Sequence, residues 1–191
     1  VDIADISSDW LRRNIGMVLQ EPFLFSRTLE ENIAIASGQE PEDGKDGEHS
    51  RLARVRSAAR IARLDETITH FAKGYDTFVG ERGVTLSGGQ KQRTAIAQML
   101  IRKPPIMVFD DSLSAVDAET DAEIRRALRE NVGSATVILI AHRLTTLMHA
   151  DQILVMDQGR LVQRGTHEEL LAQDGIYRQI YDLQVRQSGS R

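Results

Sequence analysis

The segment Val84–Arg93, VTLSGGQKQR, places a serine and two glycines where a helix is predicted to begin. The first backbone N–H groups of a helix have no helical acceptor, and the lack of side chains at Gly88 and Gly89 lets an anion approach them. Phosphate is the anion most often bound in this way, and the hydroxyl of Ser87 can contribute. The chain contains no G-x-x-x-x-G-K-[ST] loop, so these residues supply only half of a nucleotide site.

Polar residues also occur at the ends of three apolar segments that are predicted to be strands. Gln20 follows GMVL, Asp110 and Asp111 follow IMVF, and His142 ends ATVILIAH. Ligands of a parallel sheet bind beyond the carboxyl ends of its strands, so we expect these side chains to lie close together. Asp110 is suited to hold Mg²⁺, and Gln20 to bridge the metal and a water. Asp111 can orient or deprotonate that water, and His142 can contact a terminal phosphate.

Each of these residues also has an ordinary structural interpretation, as a turn, cap or solvated side chain. Asp110 and Asp111 would also fit a metal-dependent nuclease, although no further carboxylate cluster in the sequence supports a second metal. We expect Asp117 to cap the following helix, and Asp121 and Glu123 to lie on its charged, solvated face. The combination of strand-end residues with the Ser-Gly-Gly segment favours the functional interpretation.

The elements that must position these residues alternate between strand and helix, which predicts an α/β fold with a parallel sheet. Capping boxes are expected at Thr28 with Glu31 and at Thr166 with Glu169. Two of the expected strands, Ile106–Asp110 and Ala135–His142, have the apolar pattern of strands buried on both faces. Further elements are expected as strands at Asn14–Gln20 and on either side of Gly159, and as helices over Ser26–Ala36, residues 51–72, Gly88–Arg102, Ala118–Asn131 and Ile176–Val185.

The composition is that of one globular domain or part of one. Apolar residues make up 41% of the 191 residues. The net charge of −4 shows no excess of basic residues of the kind that binds nucleic acid. The chain has no cysteine, and no apolar run approaches the length of a membrane span. Ser37–Ser50 is polar and rich in turn residues, which predicts a flexible loop.

These motifs resemble, over essentially the whole chain, the nucleotide-binding domain of an ATP-binding cassette (ABC) transporter. VLQEPFLF resembles the Q-loop, with Gln20, and IMVFDD resembles the Walker B strand. SAVD, residues 114–117, resembles the D-loop, and His142 resembles the switch histidine. The family signature LSGGQ matches Leu86, Ser87, Gly88, Gly89 and Gln90.

The resemblance implies a P-loop NTPase-like α/β fold, with a parallel sheet flanked by helices. A helical subdomain over about residues 26–102 would carry the signature, within a partial nucleotide-binding domain over residues 1–187. Residues 188–191 would form a disordered tail.

ATP and Mg²⁺ are the cofactors that the resemblance implies. Two cassettes would pack head to tail, with each ATP between the Walker A loop of one and LSGGQ of the other. Asp110 and Gln20 would hold Mg²⁺, while Asp111, His142 and Gln20 would serve hydrolysis. Asp117 would contact the nucleotide together with the signature residues.

The implied partners are a second nucleotide-binding domain and transmembrane domains that contact Pro22–Phe25. The chain would then act at the cytoplasmic face of the cell membrane and power export, with an exporter type indicated by TFVGERG before the signature. A soluble cassette of DNA repair or translation is the less favoured class, because those proteins usually carry long insertions or tandem cassettes.

Two departures from the family pattern stand out. The Walker A loop would precede Val1, so the piece alone is expected to bind ATP weakly and to be inactive. Asp111 occupies the position where the family usually has a catalytic glutamate. The aspartate side chain is one methylene shorter than that of glutamate, so its carboxylate lies closer to the backbone. This resembles the degenerate half of heterodimeric bacterial exporters, which completes the partner's site. A homodimer with a weakened aspartate base is the alternative.

Overall fold

The computed structural model of the chain describes residues 1–37, 44–80, 83–112 and 116–188. The chain divides into two compact units, Val1–Ile140 and Ala141–Arg191. The first unit contains, in chain order, α1 (Ser8–Asn14), β1 (Ile15–Val18), α2 (Leu29–Ala34), α3 (Gly44–Ile61), α4 (Asp65–Thr69), α5 (Gly88–Leu100), β2 (Ile106–Asp110), α6 (Ala118–Asn131) and β3 (Thr136–Ile140).

The first unit is built on a three-stranded parallel sheet in the order β1–β2–β3. The register pairs Val18 with Phe109 and Asp110 with Ile140, so the carboxyl ends of all three strands lie at the same edge. The predicted α/β fold with a parallel sheet is therefore confirmed.

Helix α5 supplies much of the core beside this sheet. Its apolar face is buried, as are the neighbouring faces of α2 and α3. A Cβ atom at Gly16 would lie 2.5 Å from Cγ of Met99 and 2.7 Å from Cγ of Pro104. The glycine in β1 therefore allows the strand to approach α5 closely.

Strand β3 corrects one prediction, because it is not buried on both faces. Val137, Ile138 and Ile140 are 40%, 46% and 49% exposed, whereas Met107 and Phe109 in β2 are each 2% exposed. Among the described residues β3 pairs with β2 alone, so it forms an edge of the sheet. An apolar run predicts a strand but does not reveal whether anything covers it.

The segment Ser37–Ser50, expected to be a flexible loop, is partly helical, because α3 begins at Gly44. Residues 38–43 lie outside the described part of the chain, and Ser37 ends a short 3₁₀ helix. The helical pattern over residues 51–72 corresponds to the rest of α3 and to α4. The helical subdomain expected over about residues 26–102 stays a prediction.

The second unit contains α7 (Leu144–Leu147), β4 (Ile153–Asp157), β5 (Arg160–Gly165), α8 (His167–Leu171) and α9 (Ile176–Ser188). Strands β4 and β5 pair antiparallel, as expected for a strand, a turn and a strand. Its small core consists of Leu144, Ile153, Leu170 and Tyr177. The tail expected over residues 188–191 lies outside the described residues, except for Ser188 at the end of α9.

Local sequence accounts for the helix starts. Thr28 with Glu31, Ser87 with Gln90, and Thr166 with Glu169 all form reciprocal capping boxes. The boxes predicted at Thr28 and Thr166 are confirmed. No helix among the described residues is long and apolar enough to cross a membrane.

Asn32 fixes the loop that leads from β1 into α2. Its side chain is fully buried, and its Oδ1 accepts the N–H of Phe25 at 2.9 Å. Its Nδ2 donates to the carbonyls of Phe25, Arg27 and Thr28 at 3.0, 3.3 and 2.9 Å. One buried amide therefore satisfies the backbone of a whole turn.

We predict that Asn32→Ala destabilises the chain by about 1–3 kcal/mol, because it leaves the N–H of Phe25 without its acceptor and removes the three bonds that the buried amide donates. Urea unfolding followed by circular dichroism measures this loss. Asn131→Ala is the matched control, because the exposed Asn131 side chain donates only to the Ala127 carbonyl. Equal losses in the two variants would contradict the role assigned to Asn32.

Candidate functional site

Asp110 and Asp111 lie at the carboxyl end of the central strand. Asp110 is the last residue of β2, and Asp111 follows with φ of 44°, in the left-handed region that aspartate tolerates better than most residues. The N–H of Asp111 donates to the carbonyl of Ile140 at 2.9 Å. Both carboxylates are half-buried, so the backbone holds them at the sheet edge with access to solvent.

Gln20 lies at the same edge, shortly after the end of β1. Because Val18 pairs with Phe109, the register carries Gln20 and the two aspartates to neighbouring strand ends. The Gln20 side chain is exposed, and its carbonyl accepts a hydrogen bond from Nε2 of Gln92 in α5 at 3.2 Å. The ends of these two strands therefore lie at one edge of the sheet, and the proximity of the side chains stays a prediction.

The signature segment forms the start of α5. The hydroxyl oxygen of Ser87 accepts the N–H of Gln90 at 3.2 Å, and Oε1 of Gln90 accepts the N–H of Ser87 at 2.9 Å. Leu86 is buried and anchors the approach to the helix. Gly88 and Gly89 precede the first N–H groups that helical carbonyls accept, and Gly88 is exposed. Their N–H groups are therefore available to an anion.

Asp117 caps α6, as the sequence predicted. Its Oδ1 accepts the N–H of Thr120 at 2.9 Å. This backbone hydrogen bond is the main cause that lowers the pKa of the Asp117 carboxyl. The nucleotide contact implied for Asp117 stays a prediction, and Ser114 of the same motif lies outside the described residues.

Arg93 connects α5 with its surroundings. Its Nη1 donates to the carbonyl of Arg63 at 2.6 Å, and its Nε donates to the carbonyl of Gly89 at 3.4 Å. Burial lowers the pKa of the Arg93 guanidinium, and the charge of Asp117 opposes that shift. The negative charge of Asp117 therefore favours the charged form of Arg93.

Asp121 corrects the expectation of a solvated charged face on α6. It is 6% exposed, and its Oδ2 accepts from Nη2 of Arg125 at 2.7 Å. Glu123 is more exposed and pairs with Arg63 at 3.3 Å. The helical spacing of Asp121 and Arg125 allows this buried pair, but charge alone does not predict its burial.

His142 belongs to the second unit, two positions after Ile140 in the sequence. Its side chain is exposed, and its carbonyl accepts Nε2 of Gln184 at 2.8 Å. Oε1 of the same glutamine accepts the N–H of Leu144 at 3.1 Å. The side-chain amide of Gln184 in α9 therefore fixes the backbone around His142.

The described residues contain no group of three or more acidic, histidine or cysteine side chains that could hold a metal. Asp110 and Gln20 offer one carboxylate and one amide oxygen at the sheet edge. Mg²⁺ typically uses one or two carboxylates and takes its other ligands from phosphates and water. The donor set therefore fits a magnesium ion that arrives with a phosphate ligand.

The segment Pro22–Phe25 is partly exposed. Phe23 and Phe25 are 74% and 42% exposed, and their rings stack edge to face with centroids 5.1 Å apart. Leu24 packs against the core. Beside them lies a groove of about 280 Å³ between β1 and α5. Two exposed aromatic rings next to a groove are typical of a docking surface.

Gln92 and Arg93 pack around the candidate site, and neither was predicted from the sequence. Gln92 is 2% exposed and lies on the buried face of α5 with Ala95, Ile96 and Met99. The spacing of these four residues is that of one helix face, so a glutamine at an apolar position was the available signal. A polar residue placed among core positions indicates a specific hydrogen-bond partner.

The chain is similar to known transporter components. A family model described as ABC transporter matches residues 1–114. The uncharacterized ABC transporter ATP-binding protein YfiB of Bacillus subtilis is 45% identical over 188 residues, which cover 98% of this chain and 31% of that relative. The putative multidrug export ATP-binding/permease protein YgaD of the same organism is 42% identical over 183 residues, covering 96% of this chain and 30% of that relative.

A solved structure shows the same fold. The structure of a bacterial Atm1-family ABC exporter with ATP bound matches 96% of this chain and 30% of its own chain, with a TM-score of 0.85 and 42% sequence identity. The P-loop NTPase-like fold expected from the motifs is confirmed by this match. The chain spans less than a third of the length of these relatives.

We predict that Asp117→Asn reduces the sensitivity of the fold to acid. The pKa of Asp117 is lowered by folding, so its stabilising contribution is complete above the unfolded value of about 4 and is lost as the pH falls through the folded pKa. Asparagine caps a helix equally well but carries no charge. Urea midpoints near pH 7 should match, and those near pH 3 should fall less in the variant. Ser7→Asn, which exchanges one uncharged cap of α1 for another, should leave the acid response unchanged.

Proposed function

This chain belongs to the ABC transporter family, and on that premise we propose that it is the ATP-binding and ATP-hydrolysing part of an exporter. Binding of ATP would pair two such domains, and hydrolysis would release them to drive transport. The observation that carries the proposal is the position of Gln20, Asp110 and Asp111 at one edge of a parallel sheet. The names of the relatives, which include ATP-binding and multidrug export proteins, support it.

ATP and Mg²⁺ are the cofactors that fit this edge. Asp110 and Gln20 would hold the ion, with phosphate and water oxygens as the remaining ligands. A magnesium ion bound there would neutralise charge on the transferred phosphoryl group. Gln20 would then orient its amide toward the attacking water, for which its exposed side chain leaves room.

Asp111 would orient the attacking water and accept its proton on the carboxylate. The hydrogen bond from its N–H to Ile140 and its left-handed backbone fix the point from which the side chain extends. His142 would contact the terminal phosphate and signal its presence. The shorter reach of aspartate relative to glutamate would slow hydrolysis at the site that this residue serves.

The signature segment would bind the γ-phosphate of an ATP held by a second ABC domain. The hydroxyl oxygen of Ser87 accepts the N–H of Gln90, which leaves its own O–H proton free to donate to a phosphate oxygen. The N–H groups of Gly88 and Gly89 and the helix dipole would complete the anion site. Asp117 would face the second domain from the start of α6.

Transmembrane domains would dock near Pro22–Phe25 at the cytoplasmic face of the membrane. The exposed rings of Phe23 and Phe25 and the groove beside them provide an apolar surface for a short helix. The network around Asn32 holds this surface in one conformation. A rigid docking surface next to Gln20 would transmit nucleotide state to the membrane.

Ser87→Asp in the full-length transporter tests the signature assignment. Aspartate is as good a helix cap as serine, so the fold should remain intact. Its negative charge faces the position proposed for the γ-phosphate, and we expect Mg-ATP hydrolysis to fall by at least about 10²-fold. Steady-state ATPase assays with the reconstituted transporter measure this effect.

Thr166→Asp is the matched control, because Thr166 forms the same kind of capping box at the start of α8. It should retain the ATPase rate of the wild type. Wild-type activity in Ser87→Asp, or an equal loss in both variants, would exclude a phosphate at the start of α5.

Asp111→Glu tests whether the short carboxylate limits hydrolysis. A misplacement of about 1 Å can cost on the order of 10²-fold in rate, so restoring the methylene should raise kcat about tenfold or more in the assembled transporter. Asp110→Glu, which lengthens the neighbouring side chain, should instead lower activity. A large gain of ATPase in Asp111→Glu would favour a degenerate site in the native chain, whereas an unchanged kcat would contradict a limit set by the short carboxylate.

A further inference from the structure

Gln92 links two segments that serve different nucleotides under the proposed function. Its Nε2 donates to the carbonyl of Gln20 across 72 residues of sequence, at 3.2 Å. Gln92 is itself in α5, about 7–8 Å along the helix from the cap residue Ser87. The Q-loop of this chain and the segment proposed to bind a partner-held ATP are therefore joined by one buried side chain.

The second polar atom of Gln92 is unused. Its Oε1 is buried and has no hydrogen-bond partner among the described residues, although the side chain is 2% exposed. Buried side-chain acceptors are nearly always satisfied, so an unpaired one indicates a partner that is present in another state. The backbone of the Gln20 segment, already in contact through Nε2, is the adjacent source of N–H donors.

A second glutamine of α5, Gln98, connects the helix to a well-ordered partner. Nε2 of Gln98 donates to the carbonyl of Asn32 at 2.8 Å. Asn32 is fully buried in α2 and holds the preceding turn through its own side chain. Helix α5 thus has a fixed connection to α2 and a second connection, through Gln92, to an exposed loop.

We propose that Gln92 is a positioning residue that couples Gln20 to the signature segment. This inference rests on the proposed function. When the Gln20 side chain engages Mg-ATP, its loop would shift. Nε2 of Gln92 would keep donating to the loop carbonyl, and Oε1 of Gln92, which has no partner among the described residues, would accept a loop N–H as a second bond. The second bond holds α5 against the moved loop and turns the Ser87 end toward the partner's ATP. Binding at one site thereby favours binding at the other.

Gln92→Met in the full-length transporter tests the coupling. Methionine has a similar volume and cannot make either bond, and replacing an unsatisfied buried amide need not destabilise the fold. We expect the Hill coefficient for Mg-ATP hydrolysis to fall to about 1 and the half-saturating ATP concentration to rise about fivefold, with kcat within about twofold. A merely structural role would lower the amount of folded transporter without changing cooperativity.

Gln98→Met is the matched control on the same helix. It removes one amide bond to α2 and should keep the wild-type Hill coefficient. Loss of cooperativity in Gln98→Met equal to that in Gln92→Met would overturn the specific role of Gln92. If wild-type transporter hydrolyses Mg-ATP cooperatively and Gln92→Met does so too, the inference is wrong while the proposed function stands. If the wild type hydrolyses no ATP, the proposed function itself fails.

Hydrogen exchange in the wild-type transporter covers the case in which Gln92→Met does not fold. Peptides that contain Gln20 and Ser87 should gain protection over the same range of Mg-ATP concentrations. Protection at concentrations that differ tenfold or more between the two peptides would overturn the coupling.

Discussion

The parallel pairing of β2 with both β1 and β3 is the constraint on which the site depends. Side chains at the ends of distant segments meet only because the register pairs Val18 with Phe109 and Asp110 with Ile140. A shift of one residue in either ladder would turn Met107 and Phe109 out of the core. The burial of these two residues therefore also fixes where Asp110 and Asp111 lie at the carboxyl edge of the sheet.

Helix α5 carries this constraint from the sheet to the rest of the first unit. Its apolar face packs against β1, where Gly16 permits close contact with Met99. Its two glutamines reach the Gln20 carbonyl and the Asn32 carbonyl. A helix held at several points moves as one body, so its N-terminus is positioned by contacts far along its length.

The capping box at Ser87 orders the start of α5 and leaves the N–H groups of the two following glycines available. The capping box satisfies the N–H of Gln90 and the N–H of Ser87, and this fixes the first turn before any ligand arrives. The N–H donors of Gly88 and Gly89 then remain available to an anion.

Apolar side chains are exposed on β3 and, at Leu154 and Met156, on β4. Exposed apolar surfaces of this kind commonly mark interaction sites.

From the sequence alone we could predict the parallel α/β sheet, the helix caps at Thr28, Thr166 and Asp117, and the residue types at the strand ends. Those features depend on local pattern and on residue type, which a linear sequence contains. The packed structure was needed to show that β3 is an exposed edge, that Asp121 is buried with Arg125, and that Gln92 reaches Gln20. Burial and long-range hydrogen bonds depend on which elements pack together. The same sequence pattern is compatible with a buried and with an exposed side chain.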